Sequence, residues 1–404
     1  MKVIIAEKPS VARDIALIVG ARERKDGYME GSGYTVTWGF GHLVGLAMPE
    51  AYGIEGFRRE NLPILPQEFI LIPRQIKEGK EYKNDPGVMK QLNIIKELFN
   101  RADSIIVATD AGREGCLIFR YIYHYLGCSK PFSRLWISSL TDKAIRQGME
   151  NLKDGREYDN LYRSAKARSE ADWLVGINAS QALCLSAGRG VFSLGRVQTP
   201  TLMMICNRYM ENKNFTPQKY WQLRVQSGKD NISFAALSTG KYEKKDEAES
   251  NLQQIQSSGT LQVTAADKKE VSQEPPLLYD LTTLQKEANV RHSFSADKTL
   301  SIAQSLYEKK VMSYPRTGSR YISDDVFEII PERIRLLASY PCFAAYATTL
   351  DGQSLNNRSV NAAKVTDHHA LLPTKSMARA DLAALPAGER NVLRLIAARL
   401  LCRR

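Results

Sequence analysis

Residues 2–6, KVIIA, are a short apolar run of the kind that forms a buried strand, and Ser10 then precedes apolar positions at Val11, Ile15, Ile18 and Val19. That spacing predicts a helix with Ser10 as its cap, and leaves Glu7, Lys8 and Pro9 in the loop between. The same order recurs at SIIVATD, residues 104–110, followed by AGREG and by CLIFRYIYHYLG, where Gly127 marks the predicted helix end. Two strand–loop–helix units predict a parallel α/β sheet, in which ligands collect at the carboxyl ends of the strands. Glu7 and Asp110 belong at those ends.

From about 141 to 212 the pattern is helical, interrupted by SAGRGVFSLGRVQTP, whose glycines, arginines and proline suit an ordered loop near phosphates. A polar, more strand-like stretch runs from about 219 to 270, with YWQLRVQS and GTLQVTAAD as candidate strands. The adjacent prolines of QEPPLLYD mark a boundary, because they continue neither a helix nor a central strand. Helical patterns follow at 280–290 and 296–309, the second with Leu300, Ala303, Leu306 and Tyr307 on its apolar or small positions. VMSYPRTGSRYI, residues 311–322, begins as an extended segment, and LPAGERNVLRLIAARLLCRR reads as an amphipathic helix. There is no internal repeat and no low-complexity run.

A chain of 404 residues exceeds what one hydrophobic core supports, so two to four domains are expected. With 43% hydrophobic and 25% charged residues it reads as soluble and globular. Lys and Arg outnumber Asp and Glu by 56 to 44, for a net charge of +12, which favours a polyanionic partner such as nucleic acid or an anionic membrane surface. A merely basic protein is the alternative on charge alone. The first ten residues, MKVIIAEKPS, hold too short an apolar run for a signal peptide, and no stretch reaches the length of a membrane span. A cytoplasmic protein is therefore expected. The six cysteines, at 116, 128, 184, 206, 342 and 402, form no CxxC pair, against a zinc ribbon or a disulfide framework.

Four stretches carry candidate chemistry. In ATDAGREG, residues 108–115, Asp110 and Glu114 flank a glycine-containing turn and can present carboxylates to a hard cation such as Mg²⁺. The same acids suit the positive end of a helix. In AEKPS, Lys8 can neutralise a phosphate, and Glu7 can move a proton or help hold a metal, although loop charges are usually solvated. In SYPRTGSR, the Tyr314 phenol can attack phosphorus if Arg316 stabilises the developing charge. On an extended segment the two project to one face. A packed tyrosine among 18 in the chain is the competing reading. In TDHHALLPT, Asp367 can orient His368 or His369, or the pair can be structural. His42, among glycines in GFGHLVGL, fits a turn equally well.

Together these stretches make a recognisable set. VIIAEKPSVARDI, GHLVGL, VATDAGREG, RLWISSLT, ARSEADWLVGINAS, SLGRVQTPTL, LYDLTTLQKEAN, MSYPRTGSRYI and DHHALLPT, in this order, resemble the type IA DNA topoisomerases of the topoisomerase III kind. The resemblance implies a multidomain α/β, α and β fold. Its parts are an N-terminal Toprim domain over 1–140, a helical DNA-binding domain beginning at 141–215, a β-rich arch segment over 216–278, a helical nucleophile-bearing domain over 279–380, and the start of a return segment at 381–404. It implies ATP-independent cleavage of one DNA strand through a 5′-phosphotyrosine, passage of another strand, and religation, relaxing negative supercoils or decatenating DNA.

Carried over residue by residue, the resemblance makes Tyr314 the nucleophile and Arg316 the group that stabilises the scissile phosphate. Lys8 would contact that phosphate and Glu7 would take part in proton transfer. Glu7, Asp110 and Glu114 are the implied Mg²⁺ ligands, and His368 the assisting histidine. Arg168, Asp172, Arg196 and Gln198 fall in motifs lining the single-strand DNA path, and Arg320 closes the nucleophile motif as a further DNA contact. The implied partners are single-stranded, negatively supercoiled or catenated DNA and a helicase, acting on a monomer in the nucleoid-associated cytoplasm.

The chain departs from the family pattern at Gly112, where a second Asp is usual, at Cys116, where an acid is common, and at Gly318, where Asp is frequent. These predict altered metal dependence. Relatives also continue well beyond the histidine motif, so a truncated member is expected. The alternative activity is then a remnant that binds single-stranded DNA, or cleaves and religates it without efficient strand passage.

Overall fold

The computed structural model describes residues 1–79 and 81–402. The described chain divides into two units, one of Met1–Leu194 with Glu274–Arg404, the other of Gly195–Gln273.

The first unit begins with β1 (Lys2–Ala6), α1 (Pro9–Val19), β2 (Glu23–Lys25), β3 (Tyr28–Gly31), β4 (Tyr34–Trp38), β5 (Val44–Leu46), β6 (Leu71–Pro73), β7 (Gln75–Glu78), β8 (Glu81–Asn84) and α2 (Pro86–Arg101). β9 (Ser104–Ala108), α3 (Arg113–Tyr125), β10 (Phe132–Arg134), α4 (Asp142–Glu150), β11 (Lys153–Asp154) and the 29-residue α5 (Asp159–Ala187) follow. Seven of the strands form one sheet in the order β11-β10-β9-β1-β4-β3-β2. β1 runs parallel to both β4 and β9, and β10 parallel to β9, while the outer strands are antiparallel. The parallel centre predicted from KVIIA and SIIVATD is thus present, edged by a hairpin.

The alternation along β1 and β9 builds two cores. Val3, Ile5, Ile105 and Val107 meet Val88, Leu92, Ile95, Leu117, Ile118 and Ile122 of α2 and α3. Ile4, Ala6, Ile106 and Ala108 meet Ala12, Ile15, Ala16 and Ile145 of α1 and α4 on the other face. Each such full burial of an Ile or Leu stabilises by about 1.5–3 kcal/mol. α2 starts cleanly because Asp85 accepts from the Gly87 and Val88 amides at 2.9 and 3.3 Å, with Pro86 at the first helical position. α1 differs from expectation. It starts at Pro9 after Lys8, with no side-chain cap, so Ser10 lies inside the first turn. The proline ring presets the helical φ, which makes a serine cap dispensable.

The second half of this unit is helical: α8 (Leu281–His292), α9 (Ala296–Glu308), α10 (Asp324–Glu328), α11 (Ile330–Ala338), α12 (Pro341–Leu350) and α13 (Ala387–Leu401). Asp280 caps α8 through the Thr283 amide at 2.7 Å, and Ser295 caps α9 through that of Lys298 at 3.1 Å. Leu284, Ala303, Leu306, Ile334, Leu337, Val392 and Ile396 form its separate core. Residues 311–322 cross this core without becoming a strand. They are pinned by isolated bridges, Met312 to Pro373 and Ile322 to Val360.

In the second unit, α6 (Gln198–Lys213) is followed by the antiparallel pair β12 (Arg224–Lys229) and β13 (Ile232–Leu237), then α7 (Lys245–Ser258). The strand expected at GTLQVTAAD does not form, and part of the stretch read as strand-like is α7. Strand propensity is realised only against a partner strand and a packed face, and β12 and β13 pair only with each other. Among the described residues no helix is long and apolar enough to cross a membrane.

Candidate active site

Glu7 follows β1 and Asp110 follows β9, two parallel neighbours registered Ala6 to Ala108, so both acids leave the sheet at the same carboxyl edge. The Asp110 amide donates to Glu7 Oε2 at 3.4 Å. Lys8 Nζ lies 3.3 Å from Glu7 Oε1 and 3.1 Å from Asp110 Oδ2. His368 Nε2 lies 3.1 Å from that same Asp110 oxygen. The turn after β9 is tight: a Cβ on Gly115 would stand 2.1 Å from the Asp110 carbonyl, so only glycine fits there. Thr109 Oγ1 donates to the Gly115 carbonyl at 2.7 Å and fastens the turn.

Tyr314 closes the cluster from the helical half. Lys8 Nζ sits 4.0 Å from its ring centroid, and the His368 ring lies 4.5 Å from it. Tyr307 packs edge-on at 5.3 Å, and its hydroxyl is 3.2 Å from Ser10 Oγ. Thr317 Oγ1 donates to the His368 carbonyl at 2.8 Å, tying the nucleophile stretch to the histidine loop. A cavity of about 30 Å³, lined in part by Asp110, Ser139, Asp367 and His368, opens beside these groups.

The charges are unequal. Burial and the neighbouring Asp110 charge push the Glu7 carboxyl up, against Lys8, which pulls it down. Asp110 goes the other way. Burial would raise it, but hydrogen bonds and charge from His368 and Lys8 hold it at about 2. Burial would lower Lys8, yet Asp110 and Glu7 keep its ammonium well above the ordinary lysine value. The cluster therefore pairs a fixed carboxylate and a fixed ammonium with one carboxyl group suited to proton exchange.

Arg316 is exposed and has no hydrogen-bond or ion-pair partner among the described residues. The extended reading of its stretch is interrupted, because the Thr317 amide bonds back to the Pro315 carbonyl at 3.0 Å and makes a tight turn at Arg316. Arg320 Nε donates to the Leu278 carbonyl at 3.2 Å, a backbone tether. Glu114, in the first turn of α3, lies 3.6 Å from His42 Nε2 and 3.6 Å from the Arg168 guanidinium on α5. Asp172 is also on α5, while Arg196 and Gln198 belong to the second unit. Gly318 is exposed, with open space where a Cβ would stand.

Several participants were not singled out from the sequence. Arg134, buried at 2% exposure, donates to the carbonyls of Val107, Thr109 and Asp110 at 3.0, 2.7 and 2.6 Å, and so holds the end of β9 under Asp110. Its Nε has no hydrogen-bond partner among the described residues. The arginine of RLWISSLT was the available signal. Tyr307 and Ser10 gave none, since only folding brings positions 297 apart together.

Among the described residues no three His, Cys, Asp or Glu side chains converge closely enough to enclose a cation. Mg²⁺ does not need that, because it binds through one or two carboxylates and completes its shell with water and phosphate oxygens. Glu7 and Asp110 offer hard oxygen donors at one edge of the sheet, whereas Glu114 faces His42 and Arg168.

Comparison with known proteins agrees with this geometry. The sequence profile of the Toprim domain matches residues 2–140, and that of the DNA topoisomerase family residues 156–403. DNA topoisomerase 3 of Shouchella clausii is 42% identical over 385 residues, 93% of this chain and 51% of that protein. The enzymes of the same name from Bacillus licheniformis and Bacillus subtilis are 43% and 41% identical, over 99% of this chain and 54% of theirs. The chain thus spans about half the length of the curated relatives it matches. Full-length topoisomerase I from Thermotoga maritima has the same fold, with a TM-score of 0.60 at 24% identity over 99% of this chain and 60% of that one. The chain belongs to the type IA DNA topoisomerases, of the topoisomerase III kind.

Proposed function

We propose that this chain cleaves and rejoins single DNA strands through Tyr314. The observation that carries the reading is the placement of the Tyr314 ring against both Lys8 and His368, beside Asp110 and Glu7. The Tyr314 oxygen attacks phosphorus and forms a 5′-phosphotyrosine as the bond to the 3′ oxygen breaks. Its phenolic proton passes into the polar cluster, and the leaving 3′ oxygen takes a proton from Glu7, whose raised pKa suits it to both directions of the reaction. Lys8, and the unpaired guanidinium of Arg316, neutralise the charge developing on the phosphoryl oxygens. Religation is the same sequence reversed, so no ATP is consumed.

Glu7, Asp110 and Glu114 would hold Mg²⁺, which supplies charge neutralisation for the DNA phosphates when bound. Arg168, Asp172, Arg196, Gln198 and Arg320 are read as contacts along the single strand, on a net charge of +12 that favours phosphate binding. The domain bounds at 140, 215, 278 and 380, a monomeric state and a helicase partner belong to the same proposal, as does strand passage for relaxation or decatenation. The test is a denaturing gel after mixing the chain with labelled single-stranded oligonucleotide and Mg²⁺. A covalent adduct is expected from the natural chain and none from Tyr314→Phe. Identical behaviour of the two overturns the reading.

A further inference from the structure

Tyr307 touches the proposed nucleophile and the opposite half of the molecule at once. It stands near the end of α9, half-buried against the core of the helical half. The helix stops just beyond it: the Lys310 amide donates to the Tyr307 carbonyl at 2.8 Å, and Lys310 takes a left-handed conformation with φ 61°. That turn brings the following segment back, and the Tyr314 ring meets the Tyr307 ring at 75° with centroids 5.3 Å apart. Such near-perpendicular pairs are a favoured aromatic geometry. The Tyr307 hydroxyl meanwhile lies 3.2 Å from Ser10 Oγ, in the first turn of α1. One helical turn further along α1, Asp14 Oδ1 lies 3.7 Å from Lys310 Nζ. The end of α9 is therefore docked on α1, the helix that begins directly after Glu7 and Lys8.

Attack on phosphorus needs the phenolic oxygen in line with the leaving 3′ oxygen, so the χ1 and χ2 torsions of the tyrosine must be fixed. The Tyr314 ring is bounded by the Lys8 ammonium 4.0 Å from its centroid, by the His368 ring at 4.5 Å, and by Tyr307. Lys8 and His368 also engage Asp110, at 3.1 Å each. Both are donors that a DNA phosphate competes for, so they exchange partners when the strand arrives. Tyr307 carries no charge and is rooted in a packed helix, so it is the wall that stays. A phenylalanine would make the same ring contact. What the hydroxyl adds is the reach across the seam to Ser10.

We propose that Tyr307 is a positioning residue for the nucleophile: it fixes the Tyr314 ring, and its own hold on that ring depends on Ser10 of the sheet half. This rests on the strand-cleavage reading of Tyr314. The consequence is a link between the seam and the reaction. With the halves closed, the Ser10 hydroxyl holds the Tyr307 side chain and the nucleophile is aligned. When they part, that hydrogen bond opens, Tyr307 turns more freely, and Tyr314 loses one wall. Cleavage and rejoining are thereby confined to the closed arrangement.

The test follows the ring and the reaction separately, on the 404-residue chain, with melting used to confirm that each variant is folded. For the ring, a fluorotyrosine is placed at position 314 alone and its fluorine resonance is recorded without DNA. For the reaction, the rate of covalent adduct formation is measured with Mg²⁺ and saturating labelled single-stranded oligonucleotide, beside the affinity for that oligonucleotide. Tyr307→Leu is expected to move the resonance toward that of solvated fluorotyrosine. It is also expected to slow adduct formation about tenfold or more, with affinity changed less than about twofold. Tyr307→Phe, which keeps the ring, and Ser10→Ala, which keeps α1, are each expected to slow it about threefold, and the two combined no further than either alone. A general loss of packing does not produce that equality, and these two variants carry the test even where Tyr307→Leu fails to fold. An unchanged resonance or adduct rate in Tyr307→Leu, a fall in affinity that accounts for the slower rate, or additive losses from Tyr307→Phe and Ser10→Ala overturns the proposal. An adduct from the natural chain whose rate ignores Tyr307 sinks only this proposal. No adduct from the natural chain, while the resonance at 314 still follows Tyr307 and Ser10, sinks the cleavage reading and supports the placement of the ring by Tyr307.

Discussion

The sheet half and the helical half of the first unit are built differently from the seam between them. Each half has an apolar core of its own, from Val3 to Ala165 in one and from Leu278 to Leu400 in the other. The contacts across the seam are polar: Ser10 with Tyr307, Asp14 with Lys310, Ser139 and Thr141 with Asp325, Lys143 with Glu328, and Asp110 with His368. Apolar burial rewards permanence, whereas polar groups can exchange a partner for water at small net cost. A joint made of hydroxyls and charges can part and re-form, and the proposed nucleophile and acids lie on opposite sides of it.

The largest expected effects come from cutting either core. Leu306→Ala in α9 and Ile5→Ala in β1, both fully buried, should each cost about 2–5 kcal/mol. If the halves are separate cores, urea unfolding followed by fluorescence and by hydrogen exchange should show Leu306→Ala weakening the helical half first, and Ile5→Ala the sheet half first. Equal loss of protection in both halves from either variant would mean one cooperative core, and the comparison would fail.

Next comes the seam. Asp325 accepts from Ser139 at 2.6 Å and from Thr141 at 2.9 Å, and from Ser323 beside it. Those hydrogen bonds, against the effect of burial, hold its carboxyl below the usual range. Asp325→Ala should cost about 1–3 kcal/mol by leaving hydroxyls unpaired. Hydrogen exchange should rise at 138–141 and 323–326 while Leu306 and Ile5 stay protected. Loss of protection in the cores instead would make Asp325 a core element.

A smaller effect concerns acid. Asp110, at about 2 in the folded chain against an ordinary 3.8, adds stability that is fully present above pH 4 and is lost as pH falls from about 4 to 2. Its contribution is about 2 kcal/mol, offset in part by Glu7, whose raised carboxyl favours folding only while protonated. With chelator present, Asp110→Asn should flatten the fall in melting temperature between pH 4 and 2. An unchanged slope would show that Lys8 and His368 do not hold Asp110 in this way.

How far the sequence revealed this arrangement depended on whether the relevant signal was local. The parallel strands, α1, α3, α8, α9 and the final helix were legible because apolar spacing records one buried face. Glu7, Lys8, Asp110, Tyr314 and His368 were legible only through motif order, and the structure brings them into one cluster. Tyr307 against Ser10 was not, because no local pattern reports a hydroxyl arriving from 297 positions away. Ser139, Thr141 and Asp325 were missed for the same reason. GTLQVTAAD failed in the other direction: alternation was present, but no partner strand was there to use it.

The smallest expected effect lies in the same seam as Asp325. Lys143 bonds both oxygens of Glu328 at 2.9 and 2.7 Å, yet the two side chains are 52% and 59% exposed. Water screens such a pair and competes for both partners, and holding two long side chains in one geometry costs entropy. Lys143→Met should therefore leave the melting temperature unchanged within error at physiological salt, where Asp325→Ala lowers it by several degrees. A drop from Lys143→Met matching that of Asp325→Ala would mean that charge pairing at the rim, and not the buried hydroxyl–carboxylate cluster, holds the two halves together.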